Sequence, residues 1–286
     1  MKILKVINNN IVSCLDQSGR ESIAMGRGLG FGVKPGMSVN VDEVEKMFHL
    51  NSEKETMRLT DLLGSIPEEQ VELCNRIIVH AAQSLGKLLN PSLYLTLTDH
   101  ISFAVNRMKQ GIVFENALLT EVKTFYPREF AVGKYATDLI CREMHVEFPE
   151  DEAASIALHL VNAETDTSLN DTMRMTRAMR DILEMLRQSK EVSIREDSCH
   201  FNEFTVHLKF LTMQTFAGRE EERKDPKFTE LIAAACPREY TCARLISDYL
   251  EKESHNPVSD ETRAYLTIQI HRINAENNKE NTKKEG

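Results

Sequence analysis

The chain has 286 residues, 41% of them apolar, which is enough for two or three buried cores, and it carries a formal net charge of −9 at pH 7. That charge argues against non-specific nucleic-acid binding by the whole molecule. No apolar run approaches the roughly 18 residues of a spanning helix, and the N-terminus lacks the apolar stretch of a signal peptide, so a cytoplasmic protein without direct membrane insertion is expected. The six cysteines, Cys14, Cys74, Cys141, Cys199, Cys236 and Cys242, form no CxxC pair and no His/Cys cluster along the sequence. They read as reduced structural thiols.

The first 36 residues are the most strongly patterned. Ile3 to Ile7, Ile11 to Leu15 and Glu21 to Met25 read as strands of an antiparallel meander. The Asn8-Asn9-Asn10 triplet separates the first two, and Asp16-Gln17-Ser18-Gly19 forms a turn with Gly19 in its left-handed position. Gly26, Gly28, Gly30 and Gly32 then alternate with Arg27, Leu29, Phe31 and Val33, which predicts an extended backbone bare on one face. A dinucleotide fingerprint would need a third Gly where Phe31 or Val33 stands. A partnerless flexible loop is one remaining reading. An edge for single-stranded or looped nucleic acid is the other, with Arg27 on phosphate, Phe31 stacked on an unpaired base and Asn side chains on base edges. The bases Lys2, Lys5, Arg20, Arg27 and Lys34 outnumber the acids Asp16 and Glu21 in this stretch. So small an excess points to a site that depends on shape and base contacts.

Val41 to Leu50 fits either a short helical turn or a strand, and Asn51 to Ser65, charged and without a long apolar face, reads as a linker. From Ile66 the chain is helical and repeats itself. The stripe Val71, Cys74, Ile78, Ala81 and Leu85 has a counterpart in Met175, Ala178, Ile182 and Leu186. TDHISF (Thr98 to Phe103) matches TVHLKF (Thr205 to Phe210), and YPREFAVGKYATDLI (Tyr126 to Ile140) matches CPREYTCARLISDYL (Cys236 to Leu250). A period of about 110 residues means two copies of one all-helical domain, since solenoid repeats are much shorter. The polar end reads as disordered.

His100, His159 and His207 each lie at an apolar helical face, and His100 and His207 fill the same slot of the two copies. On residue type a histidine among apolar neighbours is a satisfied core residue; repetition in diverged copies favours function. A metal-dependent hydrolase would want HExxH or a His-Asp doublet, and the chain has only Asp99-His100 in the reverse order.

MKILKVINNNIVSCLDQSG followed by MGRGLGFG closely resembles the N-terminal RNA-binding domain of the BglG/SacY/LicT family of bacterial transcriptional antiterminators. The resemblance extends over the helical copies and so over nearly the whole chain. It implies an α+β multidomain protein in which a small four-stranded antiparallel β domain precedes two all-α helical-bundle regulatory domains. The expected boundaries are 1–55 for the RNA-binding domain, 56–65 for the linker, 66–169 and 170–276 for the regulatory domains, and 277–286 for a disordered tail. It implies a homodimer that binds an mRNA leader hairpin and prevents terminator formation, not an enzyme, with no cofactor and no metal. The implied RNA contacts are Lys5, Asn10, Gly26, Arg27 and Phe31, with Asn8 as a further candidate. His100, His159 and His207 are the implied phosphorylation sites, served by the HPr phosphocarrier and a sugar-specific permease of the phosphotransferase system, with Asp99 a candidate to orient the His100 ring. The alternative is a regulator with the same helical domains acting through protein or DNA contacts, and residues 1–55 show no helix-turn-helix pattern to support it.

One position departs from the family pattern. Alignment through Pro127/Pro237 and Ile156/Leu266 puts Gln269 opposite His159, and glutamine cannot hold a phosphoryl group. His271, about 200° further round a helix, should face elsewhere. Matching VNAE to INAE with a gap would instead put His271 in the slot.

Overall fold

Four antiparallel strands open the chain, β1 (Lys2–Asn8), β2 (Ile11–Leu15), β3 (Glu21–Met25) and β4 (Lys46–Phe48), paired in the order β1-β2-β3-β4. The computed structural model describes residues 1–16, 19–49, 53–165, 167–219 and 225–284. Gly19 closes the β2–β3 hairpin at φ 78°, its N–H reaching the Asp16 carbonyl at 3.1 Å, as the sequence predicts; Gln17 and Ser18 of that turn lie outside the described residues. The stretch before β4 combines both of its readings, a 3-10 turn at Val41–Glu43 and then the strand.

Alternation sends the strands' apolar side chains to opposite faces. Ile3, Val12, Cys14 and Ala24 bury on one face, closed over by Leu29 and Val39 from the loops. Ile11, Ile23, Met25 and Phe48 bury on the other, in a core continuous with the first helices.

That continuity runs through α1 (Glu53–Ser65), and it corrects the expectation of a linker at 56–65. Thr56, Leu59, Thr60 and Leu63 are buried, one face of a helix at i, i+3, i+4 and i+7 spacing. Threonines occupy half of that stripe, which is why it does not read as apolar. Phe48 of β4 meets Tyr94 edge-on, ring centroids 4.3 Å apart.

Ten further helices follow: α2 (Glu68–Leu85), α3 (Leu93–Lys109), α4 (Leu119–Phe125), α5 (Pro127–Met144) and α6 (Glu150–Thr165), then α7 (Leu169–Gln188), α8 (Cys199–Phe216), α9 (Pro226–Ala235), α10 (Pro237–Ser254) and α11 (Asp260–Lys284). The second five repeat the first five in order. Both predicted stripes on α2 and α7 are buried. Proline opens α5 and α10 at the first helical position, where its missing N–H costs nothing. Each of these helices ends on a histidine in the left-handed region, His145 at φ 55° and His255 at φ 60°.

The molecule divides into two compact units, Met1–Leu169 and Asn170–Gly286. The last helix, α11, runs on to Lys284, into the stretch expected to be a polar tail. Extending a formed helix adds one hydrogen bond per residue fixed, and the Glu and Lys of this stretch are good helix formers. Among the described residues no helix is long and apolar enough to cross a membrane.

Candidate functional site

The glycine stretch does not run extended. Gly28 at φ 73° and Gly32 at φ 70° turn the chain, with the Leu29 N–H on the Gly26 carbonyl at 3.1 Å and the Phe31 N–H on the Gly28 carbonyl at 2.9 Å. Residue type reveals glycine's freedom but not the sign of φ it adopts. Gly26 and Gly30 are buried for a different reason. A Cβ on Gly26 would lie 1.9 Å from the Glu43 carbonyl oxygen, and one on Gly30 would lie 2.0 Å from that of Asn8. Asn10 locks this loop, its backbone carbonyl accepting from the Gly26 N–H at 2.9 Å and its Oδ1 from the Gly28 N–H at 2.6 Å. The Asn8 side chain accepts from the Asn10 N–H at 2.9 Å.

The folded loop holds Phe31 outward, 75% exposed, with Arg27 exposed nearby in sequence. Asn10, Gly26 and Arg27 line a groove of about 520 Å³, and Glu45, Glu68, Glu72 and Arg76 line it with them. The Asn10 amide donates to Glu68 Oε1 on α2. Lys5 lies outside the groove on β1, with its Nζ 3.7 Å from Asp61 of α1, an exposed pair of little energetic weight. Of the five sequence-predicted contacts, then, three share one groove, Phe31 stands on the adjoining turn, and Lys5 sits apart on the sheet. The acids on that groove, Glu68 above all, were not foreseen.

In the first helical copy, His100 on α3 and His159 on α6 come together with ring centroids 4.8 Å apart. His159 is buried, and burial, with the His100 charge second, pushes its pKa down to about 3. Asp99 is exposed on α3. The carboxylate that faces the His100 ring belongs instead to Glu152, fully buried in the first turn of α6, with Oε2 3.3 Å from His100 Nε2. The other Glu152 oxygen takes Arg107 Nη2. Three consecutive acids, Glu150, Asp151 and Glu152, read as ordinary helix-start residues, which hid Glu152.

In the second copy His207 is exposed on α8 and shares a pocket of about 240 Å³ with Gln269, beside Gln214, Thr262 and Phe210. Gln269, and not His271, therefore shares the His207 pocket. His271 turns away, its Nδ1 3.2 Å from Glu239 Oε1 on α10. Cys236, Glu239 and His271 offer ligand atoms within 4.8 Å of one another, a grouping invisible in linear spacing. Burial raises the Glu239 carboxyl, but hydrogen bonds from Asn274, its own N–H and His271 outweigh this and hold it below the usual range. Those bonds, at the positive end of α10, account for the cluster without a metal. All six cysteines are unpaired; burial pushes Cys74 up to about 12.

A groove at a glycine-turn loop precedes two helical copies, one bringing His100 to His159 and the other His207 into a pocket with Gln269, and relatives in sequence say to what class such a protein belongs. The CAT RNA binding domain model matches residues 1–57, and the PRD domain model matches 75–163 and 180–273. The transcription antiterminator LicT of Bacillus subtilis (strain 168) is 39% identical over 273 residues, covering 96% of this chain and 99% of its own. The beta-glucoside operon antiterminator of Dickeya chrysanthemi is 39% identical over 276 residues, covering 96% and 98%. A crystal structure of GlcT CAT-PRDI matches at 34% identity with a TM-score of 0.52, over 57% of this chain and 98% of that one. The chain belongs to the family of antiterminators that join a CAT RNA-binding domain to two PRD domains.

Proposed function

We infer that this protein is a transcriptional antiterminator that binds a hairpin in an mRNA leader as a homodimer and so prevents the overlapping terminator from forming. The observation that carries the reading is near-full-length identity to two antiterminators, joined to a loop that presents Arg27 and Phe31 to solvent. Arg27 supplies a phosphate or stacking contact and Phe31 a face for an unpaired base, while Asn10, Gly26 and Lys5 complete the reader. Phosphorylation of His100 or His159 by a sugar-specific permease switches the protein off when its sugar is absent. Phosphorylation of His207 by HPr ties it to the carbon state of the cell. Each phosphoryl group brings close to two negative charges, enough to reset a balance between two arrangements of the chain.

A gel shift with the leader RNA of the adjacent gene tests the reading. A shift is expected that strengthens when His100 and His159 are both replaced with alanine in protein taken from cells lacking the sugar. No shift with that RNA, in either form, overturns it.

A further inference from the structure

Two buried polar atoms of the first copy, His100 Nε2 and Glu152 Oε2, pair across 3.3 Å, and neither has a hydrogen-bond partner beyond the other. Such groups are rare in native interiors and ask for a reason. Both ends of the arrangement are built. Arg107 follows His100 by two helical turns on α3, bonds the second Glu152 oxygen, and lies 5.0 Å over the Phe114 ring and 5.5 Å over the Phe103 ring. The guanidinium compensates the buried carboxylate and fixes its direction. His159 follows Glu152 by seven residues on α6, so the two helices bring four polar groups into one interior cluster.

We propose that Glu152, anchored by Arg107, is the positioning residue that makes Nδ1 of His100 the phosphoacceptor nitrogen. The inference rests on the reading of His100 as an acceptor. A carboxylate against Nε2 keeps the ring proton on that nitrogen and leaves the lone pair on Nδ1. It also bars a phosphoryl group, itself doubly negative, from Nε2. In the transfer, the Nδ1 lone pair forms the new P–N bond to a phosphohistidine donor, the donor's P–N bond breaks, and its electron pair returns to the donor ring nitrogen. The donor enters with its other ring nitrogen protonated and leaves as a neutral imidazole. His100 keeps its Nε2 proton, and the positive charge that develops on its ring faces Glu152, the part a buried aspartate plays for the histidine of a serine-protease triad.

The second copy supplies an internal contrast. Gln214 follows His207 by seven residues as Arg107 follows His100, and Thr262 precedes Gln269 by seven as Glu152 precedes His159. All four line the one pocket, which contains no carboxylate. Among the described residues that line it, none is a carboxylate that would select a ring nitrogen of His207.

The test uses the full chain, labelled by phosphorylated HPr and, separately, by the phosphorylated soluble domain of the permease encoded beside it. NMR then assigns the phosphohistidine isomer. The expected result is Nδ1 phosphohistidine at residue 100. Glu152→Gln should accept label at least about 10-fold more slowly and give mixed isomers. Gln214→Arg with Thr262→Glu should shift the His207 isomer towards Nδ1, a readout that survives if Glu152→Gln does not fold. Absence of label at residue 100 with both donors removes the acceptor reading and this inference with it. Label on Nε2 of His100, or an unchanged isomer in the folded Glu152→Gln protein, overturns the inference while the acceptor reading stands.

Discussion

The amide of Asn10 on the β1–β2 turn donates a hydrogen bond to the carboxylate of Glu68 in the first turn of α2. A residue of the proposed RNA reader is thus held by an acid, in a groove that Glu45 and Glu72 also line. A phosphate backbone brought to Asn10 would be repelled by that carboxylate. Glu68→Ala should therefore tighten hairpin binding by the full chain by about 3–10-fold, the net worth of one ordinary hydrogen bond. A titration by gel shift reads this directly. Unchanged affinity would show that α2 has already left the groove in the form that binds RNA.

The loop separates contact residues from geometric ones. Phe31→Ala and Arg27→Ala should each weaken hairpin binding by roughly 1–3 kcal/mol and leave the melting temperature in place, because both side chains are exposed. Gly26→Ala should instead cost about 3 kcal/mol of stability, since its Cβ would collide with the Glu43 backbone, which cannot rotate aside. Thermal melts beside binding curves distinguish the two outcomes, and a Gly26→Ala protein with an unchanged melt would contradict the close approach described above.

Leu59 and Leu63 of α1 give the clearest energetic test of the former linker. Both are buried against the shared core, so Leu59→Ala should destabilise the chain by about 2–5 kcal/mol, where a linker substitution would cost next to nothing. Urea unfolding of the two proteins side by side measures the difference.

Acid should destabilise the first unit through His159. Its folded pKa of about 3 lies below the usual 6.5, so the unfolded chain binds the extra proton. Stability from this residue is complete above pH 6.5 and falls by about 1.4 kcal/mol for each pH unit below it, down to the folded value. His159→Gln, which copies the residue at 269, should flatten that decline in urea midpoints measured between pH 7.5 and pH 5. An equally steep decline in the variant would assign the acid sensitivity to other groups.

Phosphate mapping should find His207 and not His271 in the second copy. His207 is exposed in its pocket, whereas His271 is engaged with Glu239. After incubation with phosphorylated HPr, mass spectrometry under alkaline conditions should place label on His207 that disappears in His207→Ala. Label on His271 would mean that its pairing with Glu239 opens readily.

What was legible in the sequence followed short-range rules. The strands announced themselves by period-2 patterning, and the helical copies by matched stripes and the paired PRE motifs. Gln269 could be placed opposite His159 because helices of one copy register on those of the other. What stayed hidden depended on partners distant in sequence. Glu152 looks like any acid at a helix start until Arg107 and His100 surround it. Thr56 and Thr60 look like solvent-facing residues until the packing of α1 buries them. The glycines give no hint of which bend the chain and which make room for a carbonyl, since that choice belongs to Asn8 and Glu43.

The shared core beneath the sheet has a thermodynamic corollary. Because Ile11, Ile23, Met25 and Phe48 are buried together with Leu59, Leu63 and Tyr94, the reader and the first helices hold their stability in common. Any event that separates Phe48 from Tyr94 acts on both sides of that seam. If a phosphoryl group among the helices changes RNA affinity by some factor, bound RNA must change the free energy of phosphorylating those helices by the same factor. Reciprocity of this kind makes the transcript an effector of its own regulator's modification state.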